Sequence, residues 1–247
     1  MGYGQWLIVC EGTKTEPNYF TGLLEYLYEK GGRDLSLLVE IRGIGRGAES
    51  LVRRAEDFFS VIETEYGRVR VPPSNVAVVF DKDAFGKGSF NHAIKLADRQ
   101  RKEYPDIERY ITAWSHESFE LWIYLHFHYT DSGMSRRELA AKLTDIFRAG
   151  GVLSGRRSYS GGVTAGQNNP VGNTLSNRRS YSSGVKNRDT LFSDILKCGG
   201  SPAAALKNAE RLSRTWQDDT KYADQNPRTE VWQLVKALAE DAGVDLQ

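Results

Sequence analysis

The sequence has no apolar run long enough to cross a bilayer. Its longest runs, such as Trp6–Cys10 and Val76–Phe80, are strand-sized, against the roughly 20 residues that a membrane helix needs. Cysteine is scarce. Cys10 and Cys198 are the only two and share no paired spacing, which argues against a disulfide framework and a cysteine-based zinc site. Excess charge is also lacking: 33 Lys and Arg against 32 Asp and Glu leave a net charge near +1. There is therefore no global attraction to nucleic acid, and any basic footprint has to be local. Met1–Gln5 lacks the basic and apolar regions of a signal peptide, so the expected location is cytoplasmic. At 247 residues, 40% hydrophobic and 26% charged, the composition is that of an ordinary globular protein. The length suits one α/β domain or one with a helical appendage.

Apolar patterning predicts an alternation of strands and helices. Trp6–Cys10 is a short β-rich run ending in Glu11-Gly12-Thr13, and Pro17 fits the start of a helix through Tyr19, Phe20, Leu23 and Leu27 that stops at Gly31-Gly32. A second strand is expected over Leu37–Ile41, and a helix near 48–66. A third strand spans Asn75–Phe80, a helix runs from about Ser89 to Glu103, and a fourth strand covers Tyr110–Trp114. This order implies a mostly parallel sheet with helices on its faces, and ligands beyond the carboxyl ends of the strands. Residues 1–130 form this α/β unit. A helix near 117–127 closes that unit, and residues 131–247 read as a helical region with helices near 136–148, 202–218 and 229–242 and a Gly/Ser/Arg-rich stretch at about 150–190.

Acidic residues gather where strands end. Glu11 follows the first strand, and Asp81 and Asp83 follow the third. In a parallel sheet those two strand ends can lie side by side, which would put three carboxylates on one rim. Crowded carboxylates repel unless a cation neutralises them, and hard oxygen ligands suit Mg²⁺ or Mn²⁺. In Asp-x-Asp the alternate side chains point the same way. Such a cation would hold a phosphate and activate water. Each acid also has an ordinary role as a turn former or helix cap. Glu16, just before Pro17, is either an N-terminal charge on its helix or a further carboxylate on the rim. Glu120, opening a helix after the fourth strand, is a metal ligand, a base, or the partner of a buried arginine.

Positive charge is clustered locally. Lys14, Lys82 and Lys87 stand near the acidic rim. Arg42 and Arg46 flank Gly43-Ile44-Gly45, a loop that lacks P-loop or dinucleotide spacing and reads either as a plain strand-to-helix turn or as a backbone contact for nucleic acid. Residues Leu153–Val163 recur as Leu175–Val185, which doubles an Arg-Arg-Ser-Tyr core: Arg156, Arg157 and Tyr159, then Arg178, Arg179 and Tyr181. Arginine interleaved with an aromatic suits single-stranded nucleic acid; a tandem duplication in a tolerant surface loop accounts for it equally. His116 is read as a proton shuttle or an exposed turn histidine. His126 and His128 have no zinc spacing.

Four blocks in order resemble the RloB-like proteins. They are Leu7-Ile8-Val9-Cys10-Glu11-Gly12-Thr13-Lys14-Thr15-Glu16-Pro17-Asn18-Tyr19-Phe20, Val79-Phe80-Asp81-Lys82-Asp83, Ser115–Phe127 and Asn226-Pro227-Arg228-Thr229-Glu230-Val231. His116-Glu117 departs from the family's usual Asn-Pro, and the duplicated segment lies outside its pattern. The resemblance implies a Toprim-like fold, related to that of OLD-type nucleases. It further implies Mg²⁺ held by Glu11, Asp81 and Asp83, and phosphodiester chemistry on DNA or RNA. A role as a phage-defence or restriction-linked effector, often beside an ATPase partner, also follows from it. On this reading Glu11, Glu120 and Lys82 are the catalytic candidates, with Glu16 a fourth metal ligand. Lys14, Arg42, Arg46, Arg156, Arg157, Arg178 and Arg179 are the candidates for contacting nucleic acid. The rival readings are a non-catalytic adaptor for the ATPase and a nucleotidyl-transferring enzyme.

Overall fold

The computed structural model describes residues 5–65, 67–82, 86–153, 179–217 and 220–246, and of Lys87 only the backbone. Asp83, Arg156, Arg157 and Arg178 therefore lie outside the described residues. The central sheet contains β1 (Trp6–Cys10), β2 (Val39–Gly43), β5 (Asn75–Asp81), β6 (Arg109–His116) and the two-residue β7 (Arg228–Thr229), in the order β2-β1-β5-β6-β7. All neighbours pair in parallel except β7, which runs antiparallel to β6. The first and third predicted strands, β1 and β5, are adjacent in this sheet. Every residue of both is buried, which explains why they read as continuous apolar runs rather than as an alternation.

Alternation instead decides which core each side chain enters. Trp6, Ile8, Cys10, Ala77, Val79 and Ala113 face one hydrophobic cluster, while Leu7, Val9, Val76, Val78, Phe80, Tyr110 and Trp114 face the other. The second cluster is closed by α2 (Ala48–Arg54) and α3 (Lys87–Glu103). The first is covered by α1 (Thr15–Glu29), α4 (Glu120–Leu125), α5 (Arg136–Ala149), the single turn α6 (Tyr181–Gly184), α7 (Leu191–Lys197), α8 (Pro202–Ser213) and α9 (Val231–Ala242). Residues from both halves of the chain build this cluster. No helix among the described residues is long and apolar enough to cross a membrane.

The helix expected over 48–66 is corrected. It ends at Arg54, continues as a 3₁₀ turn over Ala55–Phe58, and gives way to a hairpin of β3 (Ser60–Thr64) and β4 (Gly67–Val71). Val61, Ile62, Thr64, Val69 and Val71 are β-branched and favour extended backbone. Gly67 at φ +111° supplies a turn conformation that other residues avoid. Elsewhere the boundaries move by a few residues. β2 starts at Val39 rather than Leu37, α4 starts at Glu120, and α8 stops at Ser213. Part of the stretch without periodicity is also ordered, since Ser180 caps α6 through a capping box with Ser183.

Candidate functional site

The carboxyl ends of β1 and β5 are tied together. Glu11 N–H donates to Val79 O at 2.8 Å, and Asp81 N–H donates to Glu11 Oε2 at 3.0 Å. Asp81 continues the Ala77–Val79 parity, so its side chain turns toward the core on the α1 side. Two helix starts converge there. Helix α1 begins at Thr15, which puts Glu16 in its first turn, and Glu120 opens α4. Gly12 packs closely here: a Cβ at that position would overlap the Glu16 carboxylate and make it shift. Glu11, Glu16, Asp81 and Glu120 all line one solvent-open cavity of about 440 Å³, together with Lys14, Arg136, Lys186 and Asn187.

Two cations enter among these acids. Arg136 follows Ser135, whose capping box with Glu138 fixes the start of α5, and its Nη2 donates to Asp81 Oδ2 at 3.0 Å. Its Nε stands 3.9 Å from Glu120 Oε2. Lys186, just after α6, donates from Nζ to Glu120 Oε1 at 2.6 Å. Asn187 is joined to α1, with Thr15 Oγ1 donating to its side-chain Oδ1 and Asn18 Nδ2 to its backbone carbonyl, both at 3.2 Å.

The acids are not fully neutralised. Burial pushes the Asp81 carboxyl well above its ordinary value, the nearby Glu16 and Glu120 add to this, and Arg136 only partly offsets it. Burial likewise raises Glu16, against the pull of its own backbone N–H and of Lys186. Glu120 moves the other way: burial opposes its ionisation, but the charge and hydrogen bond of Lys186 hold its pKa below the ordinary value. Among the described residues, Glu16 Oε2 and Glu120 Oε2 are buried with no hydrogen-bond partner within ordinary bonding distance. Tyr181, stacked on Phe147 with ring centroids 5.8 Å apart, also buries an unpartnered hydroxyl. Burial and the charges of Glu120, Glu16 and Asp81 push its phenol up.

The remaining candidates disperse. Lys82 is paired with Glu117, its Nζ 3.5 Å from Oε1, and does not line the cavity. Lys14 is exposed at the mouth. Arg42 folds back on Glu40 and over the Phe58 ring, while Arg46 and Arg179 are exposed. His116 is corrected from a turn position to a buried one. It ends β6 on the side of the second core, and its Nε2 lies 3.0 Å from the Ala223 carbonyl. Burial lowers the pKa of His126 to about 4. Its Nδ1–H donates to Trp122 O, so Nε2 accepts from Tyr19 O–H, each at 3.0 Å.

Arg136 and Lys186 were not legible in the sequence. They lie 55 and 66 residues from their carboxylate partners, Asp81 and Glu120. The donor chemistry fits a hard divalent cation: four carboxylates, two of them with unpartnered buried oxygens. Among the described residues, however, no three acids converge as a ready-made ligand set, and Arg136 and Lys186 stand among them.

No curated protein and no solved structure matches the chain. The family model described as RloB-like protein matches residues 6–238, nearly the whole sequence. The match takes in both strand ends and both helix starts that build the cavity, and the chain belongs to the RloB-like protein family.

Proposed function

We propose that this cavity is the active site of a metal-dependent nuclease. The observation that carries the reading is an imbalance of charge. Four buried or half-buried carboxylates share one cavity with three cations, Lys14 at its mouth and Arg136 and Lys186 within, and among the described residues Glu16 Oε2 and Glu120 Oε2 have no hydrogen-bond partner. Buried unpaired acceptors are costly and native structures rarely keep them without a reason. A hard divalent cation is the partner that four oxygen donors select.

Glu11, Glu16, Asp81 and Glu120 would hold Mg²⁺ or Mn²⁺, with Asp83 two residues beyond the β5 end in sequence. Bound there, the cation would lower the pKa of a water and stabilise charge on a phosphoryl oxygen. The chain's own residues do the rest. Glu11, fixed by the Asp81 amide, and Glu120 are placed to take or hold a proton. Lys14 at the mouth and Lys82 close by offer charge to a nucleic-acid backbone. The Toprim-like kinship implied by the sequence blocks supports the same chemistry on DNA or RNA. An effector role in defence or restriction-linked loci, with an ATPase partner, extends the reading.

The test is a cleavage panel of tRNA, plasmid and single-stranded DNA with Mg²⁺ or Mn²⁺, run with and without the neighbouring ATPase. Cutting by the wild type that Glu11→Ala and Asp81→Ala both abolish is the expected result. Full activity in both variants would end the proposal. No cutting of any substrate, with no metal binding, would leave the adaptor reading in its place.

A further inference from the structure

Resting on the metal reading, we infer that Lys186 is a tethered counter-cation that competes with the divalent cation for Glu120. Its ammonium donates at 2.6 Å to Oε1 of a carboxylate that is only 2% exposed. The burial of the carboxylate strengthens this attraction, because desolvation removes the screening that weakens ion pairs at the surface. The segment is anchored on both sides of the lysine. Tyr181 and Val185 are buried before it, and Asn187 bonds to α1 after it.

The consequence concerns geometry. While Lys186 holds Oε1, Glu120 presents only Oε2, which has Arg136 Nε at 3.9 Å and no hydrogen-bond partner among the described residues, and no three of the described acids converge as a ligand set. Entry of a divalent cation makes the ammonium redundant at Glu120. It is then released toward the cavity mouth, where a phosphate can take it up. The duplicated segment sharpens the point: the residue after its first copy is Thr164, and the residue after its second is Lys186. Only the second copy is therefore followed directly by a lysine.

Calorimetric titration of Mn²⁺ into wild type, Lys186→Met and Lys186→Arg tests this. Lys186→Met is expected to bind Mn²⁺ about tenfold more tightly than wild type, since one competing charge is gone, and Lys186→Arg is expected to stay near wild type. A Lys186→Met affinity equal to or weaker than that of a binding wild type overturns this inference and leaves the nuclease proposal standing. Absence of Mn²⁺ binding in wild type and variant alike overturns both. If Lys186→Met does not melt cooperatively, Lys186→Gln carries the same expectation.

Discussion

On the side of the sheet covered by α2 and α3, the polar groups around Gln100 are hydrogen-bonded to one another. Gln100 Nε2 donates to Val52 O at 2.9 Å and to Glu56 Oε1 at 2.8 Å, and its own Oε1 accepts from Tyr110 O–H at 2.7 Å. Tyr104 O–H donates to Glu56 Oε2 at 2.8 Å, and Arg70 adds a charge at 3.3 Å. One carboxylate meets several donors there. On the opposite side four carboxylates share a cavity with Lys14, Arg136 and Lys186, and among the described residues Glu16 Oε2 and Glu120 Oε2 find no hydrogen-bond donor. The two networks lie in one protein and on one sheet, so the contrast is not a matter of general packing quality. A complete network specifies a core; an incomplete one in an open cavity indicates a ligand.

The largest expected effect lies on the incomplete side. Asp81→Ala or Glu120→Ala should weaken Mn²⁺ binding and cleavage by more than about 100-fold, because even outer-shell partners of metal ligands are worth 10–100-fold. Circular dichroism should show the fold retained. The same substitution made in the closed network should do the reverse. Gln100→Ala leaves the Tyr110 hydroxyl buried and unpaired and should cost about 2 kcal/mol, lowering Tm by roughly 4–8 °C for a chain of this size. Metal affinity should not change.

Next in size is a pH effect, and its sign follows from the directions of shift. Asp81 and Glu16 have raised folded-state pKa values, so their favourable contribution is present when they are protonated and is lost as pH rises through those raised values. Glu120 is lowered, so its contribution is lost only as pH falls through the lowered value. Metal-free protein should therefore lose stability as pH climbs above the ordinary carboxylate range. Thermal melts should show that slope, and either saturating Mg²⁺ or the double variant Glu16→Gln, Asp81→Asn should flatten it. The smallest effect is expected at the mouth. Lys14→Ala should weaken nucleic-acid binding modestly and reduce the salt slope by about 1, read by a salt titration.

The sequence exposed one layer of this arrangement and hid another. β1 and β5 were legible because both are buried on two faces and so run apolar without a break, and each ends in an acid. Glu120 was legible from the helix start that follows β6. The hairpin of β3 and β4 is not, because β3 falls inside the 48–66 stretch whose patterning predicts a helix. The cations were hidden for a topological reason: Arg136 enters on α5 and Lys186 from the end of the repeated segment, and only tertiary packing brings either to the strand ends. The repeat itself was read for its arginines, yet Arg179 is exposed. The structural contribution of the second copy comes from Tyr181 and Val185, whose burial positions Lys186.

A crystal grown with Mn²⁺ and measured at a wavelength where manganese scatters anomalously tests the central claim most directly. A single anomalous peak per chain, within about 2.0–2.3 Å of carboxylate oxygens from at least three of Glu11, Glu16, Asp81, Asp83 and Glu120, is the predicted result. Saturating Mn²⁺ with no peak in the cavity, or a peak on unrelated surface acids, would contradict it.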